Sequence, residues 1–307
     1  MTMKRIKQFV LTVLIVLIGV CAFDFAFGII AGKMLSKISN QGEFCKTYYA
    51  LNEVECPVII AGSSRASHHY VSNMISESMG LSVRNCGLDG CFFSYNCCVI
   101  QSILDRYHPQ LIIWEIGVED LAKESEDPME NLYPYYNINH NVTKCINEEY
   151  DWTSIAPLYS NLYKYNSLFH RIIHRYVKRN SFKDNGQNGY EPLPQTKWAY
   201  EQKQVTHFDE LSQTKVNRFK SVIQQAKQSE VNMIVVSSPV FMSDDYCSAS
   251  EKTIKTICDS LNVEFYNNRR VKGIFENPDC FKDRTHLNNV GAKQYTNWFI
   301  NNCLKVD

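Results

Sequence analysis

PVIIAGSS, residues 57–64, is a short apolar run that ends in small residues. That is how a strand buried on both faces of a parallel sheet reads. Four more runs of this kind follow: LSVRNCG (81–87), LIIWEIG (111–117), NMIVVSSP (232–239) and VEFYNN (263–268). Between and after them, helical spacing predicts helices over 66–79, about 95–107, about 209–229, about 248–261 and 289–304, with His108-Pro109 stopping the second. Strands alternating with helices imply βαβ units and a parallel sheet covered on both sides.

The rhythm breaks over 120–205, where Tyr, Asn, Pro and charged residues dominate. Leu158, Leu162, Tyr165, Leu168, Phe169, Ile172 and Ile173 fall at roughly helical spacing, which predicts helices packed on a core. KRNSFKDNGQNGYEPLPQ (178–195) reads as a mobile loop.

Upstream of the first strand, Lys4, Arg5 and Lys7 precede an apolar run from Phe9 to Gly32. The run is long enough to cross a bilayer as a helix, and longer than the usual core of a cleaved signal. The early basic cluster predicts a cytoplasmic N-terminus and an exported body, although Lys33 and Lys37 on the far side weaken the asymmetry. Asp24 interrupts the run, either as a polar group reaching the outer interface or as a contact to a partner membrane helix. The expected organisation is therefore a tip and signal anchor over 1–32, a polar connector over 33–56, and an α/β domain over 57–307 with an insertion at about 120–205.

Composition excludes some functions. The 32 basic and 32 acidic side chains cancel, so no basic excess exists to hold a nucleic acid. Of the 12 cysteines, Cys21 lies in the anchor, and the rest contain no CxxC pair, so a zinc site is not expected. Whether Cys86, Cys91 or Cys280 enter disulfides is not decided by their spacing. His170, His174 and His207 have no partner spacing that suggests a metal. No cofactor is implied. Asn141-Val142-Thr143 fits a glycosylation triplet, a pattern that also arises by chance.

Open parallel sheets place their working groups at the carboxyl ends of strands. Here those ends are Gly62-Ser63-Ser64-Arg65, Asn85-Cys86-Gly87 and Gly117-Val118-Glu119-Asp120, and Asp283-Arg284-Thr285-His286 comes just before the last helix. A serine hydroxyl needs a base to take its proton, and histidine needs a carboxylate to fix its tautomer. The DxxH spacing lets Asp283 reach behind the ring of His286. Backbone amides at Ser64 and Gly87 can face a developing oxyanion. His68 and His69 lie one turn past Ser64, close enough to line a pocket, though solvated helix positions are expected. Trp114 reads as packing, and Glu115, inside a buried strand, needs a partner or an exposed edge.

In this order the blocks resemble the SGNH (GDSL-like) hydrolase superfamily, over roughly residues 57–120 and 232–304. The resemblance implies a three-layer α/β/α, flavodoxin-like fold and a serine esterase or O-acyltransferase. Ser64 would be the nucleophile, Asp283 and His286 its partners, and the amides of Ser64 and Gly87 the oxyanion hole. The final block, with its trailing HLNxxGA, is the most specific match. The membrane helix and the GSSR block imply acyl esters of envelope or extracellular glycans as substrates. One block departs: where the family carries GxND, this chain has GVED, with Glu119 in place of the Asn donor. Glu119 could be protonated by burial and donate, could point elsewhere, towards Arg65, or could leave the site weakened or dead. The second is the preferred reading, with Arg65 and Glu119 both at the pocket. The last would make the chain a catalytically silent module that binds glycan or a membrane partner. The 120–205 insertion is expected to form part of the substrate wall.

Overall fold

A computed structural model describes residues 3–38, 46–125, 127–166, 168–178, 187–196, 208, 210–241 and 244–304. His207 and Cys45 lie outside these, as do residues 179–186 of the stretch expected to be a mobile loop.

In chain order the helices and strands are α1 (Met3–Ser36), α2 (Lys46–Asn52), β1 (Val58–Ala61), α3 (Ser64–His69), α4 (Ser72–Met79), β2 (Val83–Asn85), α5 (Phe93–Arg106) and β3 (Leu111–Glu115). Then come α6 (His140–Glu149), α7 (Trp152–Ile155), α8 (Asn161–Tyr165), α9 (Phe169–Val177), α10 (Gln213–Gln228), β4 (Asn232–Ser237), α11 (Ala249–Ser260), β5 (Glu264–Asn267) and α12 (Asn289–Cys303). All five strands were expected from their apolar runs. They form one sheet in the order β2-β1-β3-β4-β5, parallel at every pairing. This is the flavodoxin-like order, whose direction of growth reverses between β1 and β3.

Alternate residues of the central strands feed two cores. Ile59, Ala61, Ile112, Trp114 and Val235 pack under α2, α5, α10 and α11. Val58, Ile60, Ile113, Ile234 and Val236 pack under α4 and α12. Burial on both faces is why these strands read as continuous apolar runs. Trp114 is packing, as expected, between Phe93 (5.9 Å between centroids) and Phe219 (5.2 Å).

Several elements differ from the expectation. The helix expected over 66–79 is two, broken at Tyr70 and Val71, where the Val71 amide donates to Thr296 Oγ1 at 3.0 Å. Residues 33–56 are not simply a polar connector. The apolar helix continues through Ser36, Ala31 and Leu35 join the core, and Lys46 is buried in α2. The Lys46 ammonium donates to Ser67 Oγ, Gly87 O and Gly189 O within 3.2 Å and pairs with Glu191 at 2.8 Å.

Residues 187–196 are docked, against the expectation of mobility. The Asn85 amide donates to Asn188 O at 2.9 Å across the outer edge of β2, and the Glu191 amide to Ser67 O at 3.0 Å. Gly189, at φ +87°, passes so close to β2 that a Cβ there would sit 2.0 Å from Asn85 O, which only glycine tolerates.

Helix α1 is long and apolar enough to cross a membrane. Asp24 turns inward to the chain's own body. Its carboxylate accepts from Ser160 Oγ (2.6 Å), the Asn161 amide (2.9 Å) and side chain (3.2 Å), and the Leu162 amide (2.9 Å), capping α8. Asp24 thus needs neither the open interface nor a partner helix to satisfy it.

The described cysteines are all free thiols, Cys86, Cys91 and Cys280 among them. Asn141 is buried and donates to Asp105 at 2.7 Å, which removes it as a glycan acceptor in the folded chain.

Candidate active site

Three strand ends and the loop before α12 meet at the reversal point of the sheet. Gly62 leaves β1 at φ +152°, and a Cβ there would lie 2.7 Å from Ala66 Cβ and 2.8 Å from Glu115 Cβ. That close approach bends the chain straight into α3, with Ser64 as its first residue.

Ser64 Oγ lies 2.7 Å from His286 Nε2, across 222 positions of sequence. His286 Nδ1 lies 2.9 and 3.0 Å from the two oxygens of Asp283. Asp283 Oδ1 also accepts the amides of Thr285 (2.9 Å) and His286 (3.0 Å), so the DxxH turn is closed by its own carboxylate. Burial raises the pKa of Asp283, but the imidazole, these amides and the charge of a protonated His286 outweigh it and hold the carboxyl well below the usual range. With the carboxylate on Nδ1, the neutral ring carries its proton there and leaves Nε2 free to accept from the serine hydroxyl.

The cleft over Ser64 has a volume of about 470 Å³ and is lined by Ser63, Ser64, Arg65, Asp89, Gly90, Phe92, Gly117, Asp120, Thr285 and His286. Gly87, the expected oxyanion donor, is not in this lining. Its amide donates to Asn85 Oδ1 at 2.9 Å, and its Cα packs on α3 so tightly that a Cβ would lie 2.4 Å from Ser67 N. Gly90 stands in the cleft instead, at φ +68° with open space around it, and its amide makes no hydrogen bond within the described residues. The Asp89-Gly90 pair is a turn signal that could have directed attention to it.

Glu119 does not line the cleft, and its expected partner goes elsewhere: Arg65 Nε pairs with Glu115 Oε1 at 3.2 Å. The guanidinium is itself mostly buried at the cleft wall. Among the described residues of the insertion, only its first, Asp120, reaches the cleft, so the expected substrate wall is far smaller. Asp120 accepts the Gly117 amide at 2.8 Å; burial pushes its carboxyl up to about 6, against the opposing pull of Arg65.

Behind the cleft, both histidines of α3 are buried rather than solvated. His68 Nε2 lies 2.9 Å from Asp89 Oδ2 and its Nδ1 lies 2.6 Å from Glu191 O. Burial lowers the His68 pKa, but the Asp89 hydrogen bond and charge more than reverse this. His69 Nε2 accepts the Leu287 amide at 3.0 Å, which places its proton on Nδ1, 2.7 Å from Ser238 Oγ. Burial and the nearby Arg65 hold His69 neutral, its pKa well below the ordinary value. Ser238 Oγ in turn donates to Glu115 Oε1 at 2.9 Å, and Glu115 Oε2 also accepts the Tyr70 hydroxyl. Glu115 therefore has the partners that its place in a buried strand requires.

A scan against protein-family models finds no match, and neither does a search of curated proteins. Among solved structures, an acetyl xylan esterase superposes with a TM-score of 0.40 at 10% identity, over 80% of this chain and 99% of that one. A likeness that shallow bears on neither chemistry nor substrate.

Proposed function

We propose that the chain is a membrane-anchored serine esterase or O-acyltransferase of the SGNH type, exported to act on acyl esters of envelope or extracellular glycans. The observation that supports this best is the Ser64 Oγ to His286 Nε2 separation of 2.7 Å, with Asp283 on the opposite nitrogen at 2.9 Å. In this reading Ser64 passes its proton to His286 Nε2 as its oxygen bonds to the ester carbonyl. The carbonyl electron pair moves onto oxygen, facing the amides of Ser64 and Gly90 and the charge of Arg65. Collapse expels the alcohol, which takes the proton from Nε2 and leaves an acyl-serine. A water molecule then completes hydrolysis, or a second sugar hydroxyl completes transfer; the two differ only in that acceptor.

The test is labelling of the folded chain with a fluorophosphonate. Wild type should label at one site, and Ser64→Ala should not. A folded wild type that fails to label would overturn the enzyme reading. It would leave a second one, favoured by Glu119 at the family's Asn position and outside the cleft: a silent module that binds glycan or a membrane partner.

A further inference from the structure

On the reading that α1 crosses a membrane, its free apolar length is too short. Phe9–Phe23, up to the point where Asp24 joins α8, spans about 22 Å at 1.5 Å per residue, against a hydrocarbon layer of about 30 Å. Counting on through Ile30 gives about 33 Å, enough to cover the layer with a modest tilt. Phe25, Ile29 and Ile30 are exposed and apolar, as lipid contact requires.

Those same turns of α1 are flanked by the body. The Asn161 side chain abuts Gly28, Tyr165 Oη approaches Gly32, and Phe27 packs on Phe169 at 4.6 Å. Whatever depth Ile29 and Ile30 occupy, α8 and α9 occupy beside them. Exposed apolar groups crowd these two helices and α7, which precedes α8 by one short turn. Trp152 and Tyr159, 6.0 Å apart, are 67% and 58% exposed, and Leu162, Tyr163, Ile173 and Val177 are exposed as well. Aromatic rings with polar tips are the groups enriched at lipid interfaces. Exposed Arg171 in α9 and Lys178 at its C-terminal cap add basic groups near these apolar ones, the composition of a helix lying in an anionic headgroup layer. The Asp24 cap also fits, because a carboxylate at that depth must be satisfied by protein rather than by water.

We infer that the α7–α9 surface is a membrane-embedded shoulder, seated in the interfacial layer of the leaflet through which α1 emerges.

The test uses the full chain in nanodiscs of phosphatidylcholine and phosphatidylglycerol, with tryptophan fluorescence read against brominated phosphatidylcholine and against aqueous iodide. The expected result is a component quenched by brominated lipid, sheltered from iodide and missing from Trp152→Phe. Alkaline carbonate extraction of the same preparation reports on the span itself. Release of the chain would overturn the anchor reading and the shoulder together. Retention with Trp152 quenched by iodide and untouched by brominated lipid would overturn the shoulder alone. Shelter of Trp152 from both quenchers would overturn it too, in favour of a protein partner on this face.

Discussion

The imidazole of His69 accepts the amide of Leu287, the residue next to His286, at 3.0 Å, and its other nitrogen meets Ser238 at the end of β4 at 2.7 Å. One buried ring thus ties the DxxH loop to the sheet. His69→Phe should leave the Leu287 amide and the Ser238 hydroxyl without this partner, at a cost of roughly 1–3 kcal/mol for each. A fall in Tm together with a fall in kcat, with KM little changed, is the expected pattern. A variant as stable and active as wild type would remove His69 from any positioning role.

Asp283→Asn keeps the shape of the turn but offers the ring an amide in place of a carboxylate. The expected loss in kcat is about ten-thousandfold, from the wrong tautomer at His286. The acid limb gives a second readout. A carboxyl depressed below 3.8 contributes stability that is complete above that pH and is lost as pH falls through the lower folded-state value. The difference in Tm between wild type and Asp283→Asn should therefore hold steady above pH 4 and shrink below it.

Asp120 predicts the opposite slope. Its carboxyl is raised from 3.8 to about 6, so ionising it costs the folded state more than the unfolded chain. Asp120→Asn, which can still accept the Gly117 amide, should gain on wild type as pH rises from 4 to 6 and hold that gain above it. The gain is on the order of 1–3 kcal/mol. Thermal melts at pH 4 and 7.5 would show it; a difference independent of pH would exclude an elevated Asp120.

Gly87 and Gly90 separate a packing glycine from a cleft glycine. Gly87→Ala would drive a Cβ into the α3 backbone, so a drop in Tm by several degrees is expected. Gly90→Ala meets open space and keeps its amide, leaving only the left-handed penalty of about 1 kcal/mol. Equal losses in the two variants would contradict this division.

The parts of the fold legible in sequence were those set by local pattern. Five apolar runs became five strands because each is buried on both faces, and Asp283 and His286 could be paired because they lie three positions apart on one tight turn. The resemblance points to Gly87 as the oxyanion glycine; its packing on α3, its amide bond to Asn85 Oδ1 and the open space at Gly90 are set by tertiary contacts that no local pattern carries. His68 and His69 read as solvated helix positions because their partners, Asp89 and Ser238, come from other segments of the chain. The docking of 187–196 along β2 was hidden for the same reason: a Gly- and Asn-rich stretch looks alike whether it is free or pressed against a sheet edge.

Helix α1 runs uninterrupted from Met3 to Ser36, and its last turns are part of the body's core. Where such a helix is also a bilayer span, there is no hinge at the junction and the body cannot swing on a stalk. The opening above Ser64 keeps one altitude and one bearing over the lipid plane. On the proposed reading of an esterase acting on glycan, a polymer would then be served only along the thin stratum it threads past that opening, and the pattern of modified sites would record the polymer's path rather than the reach of the protein.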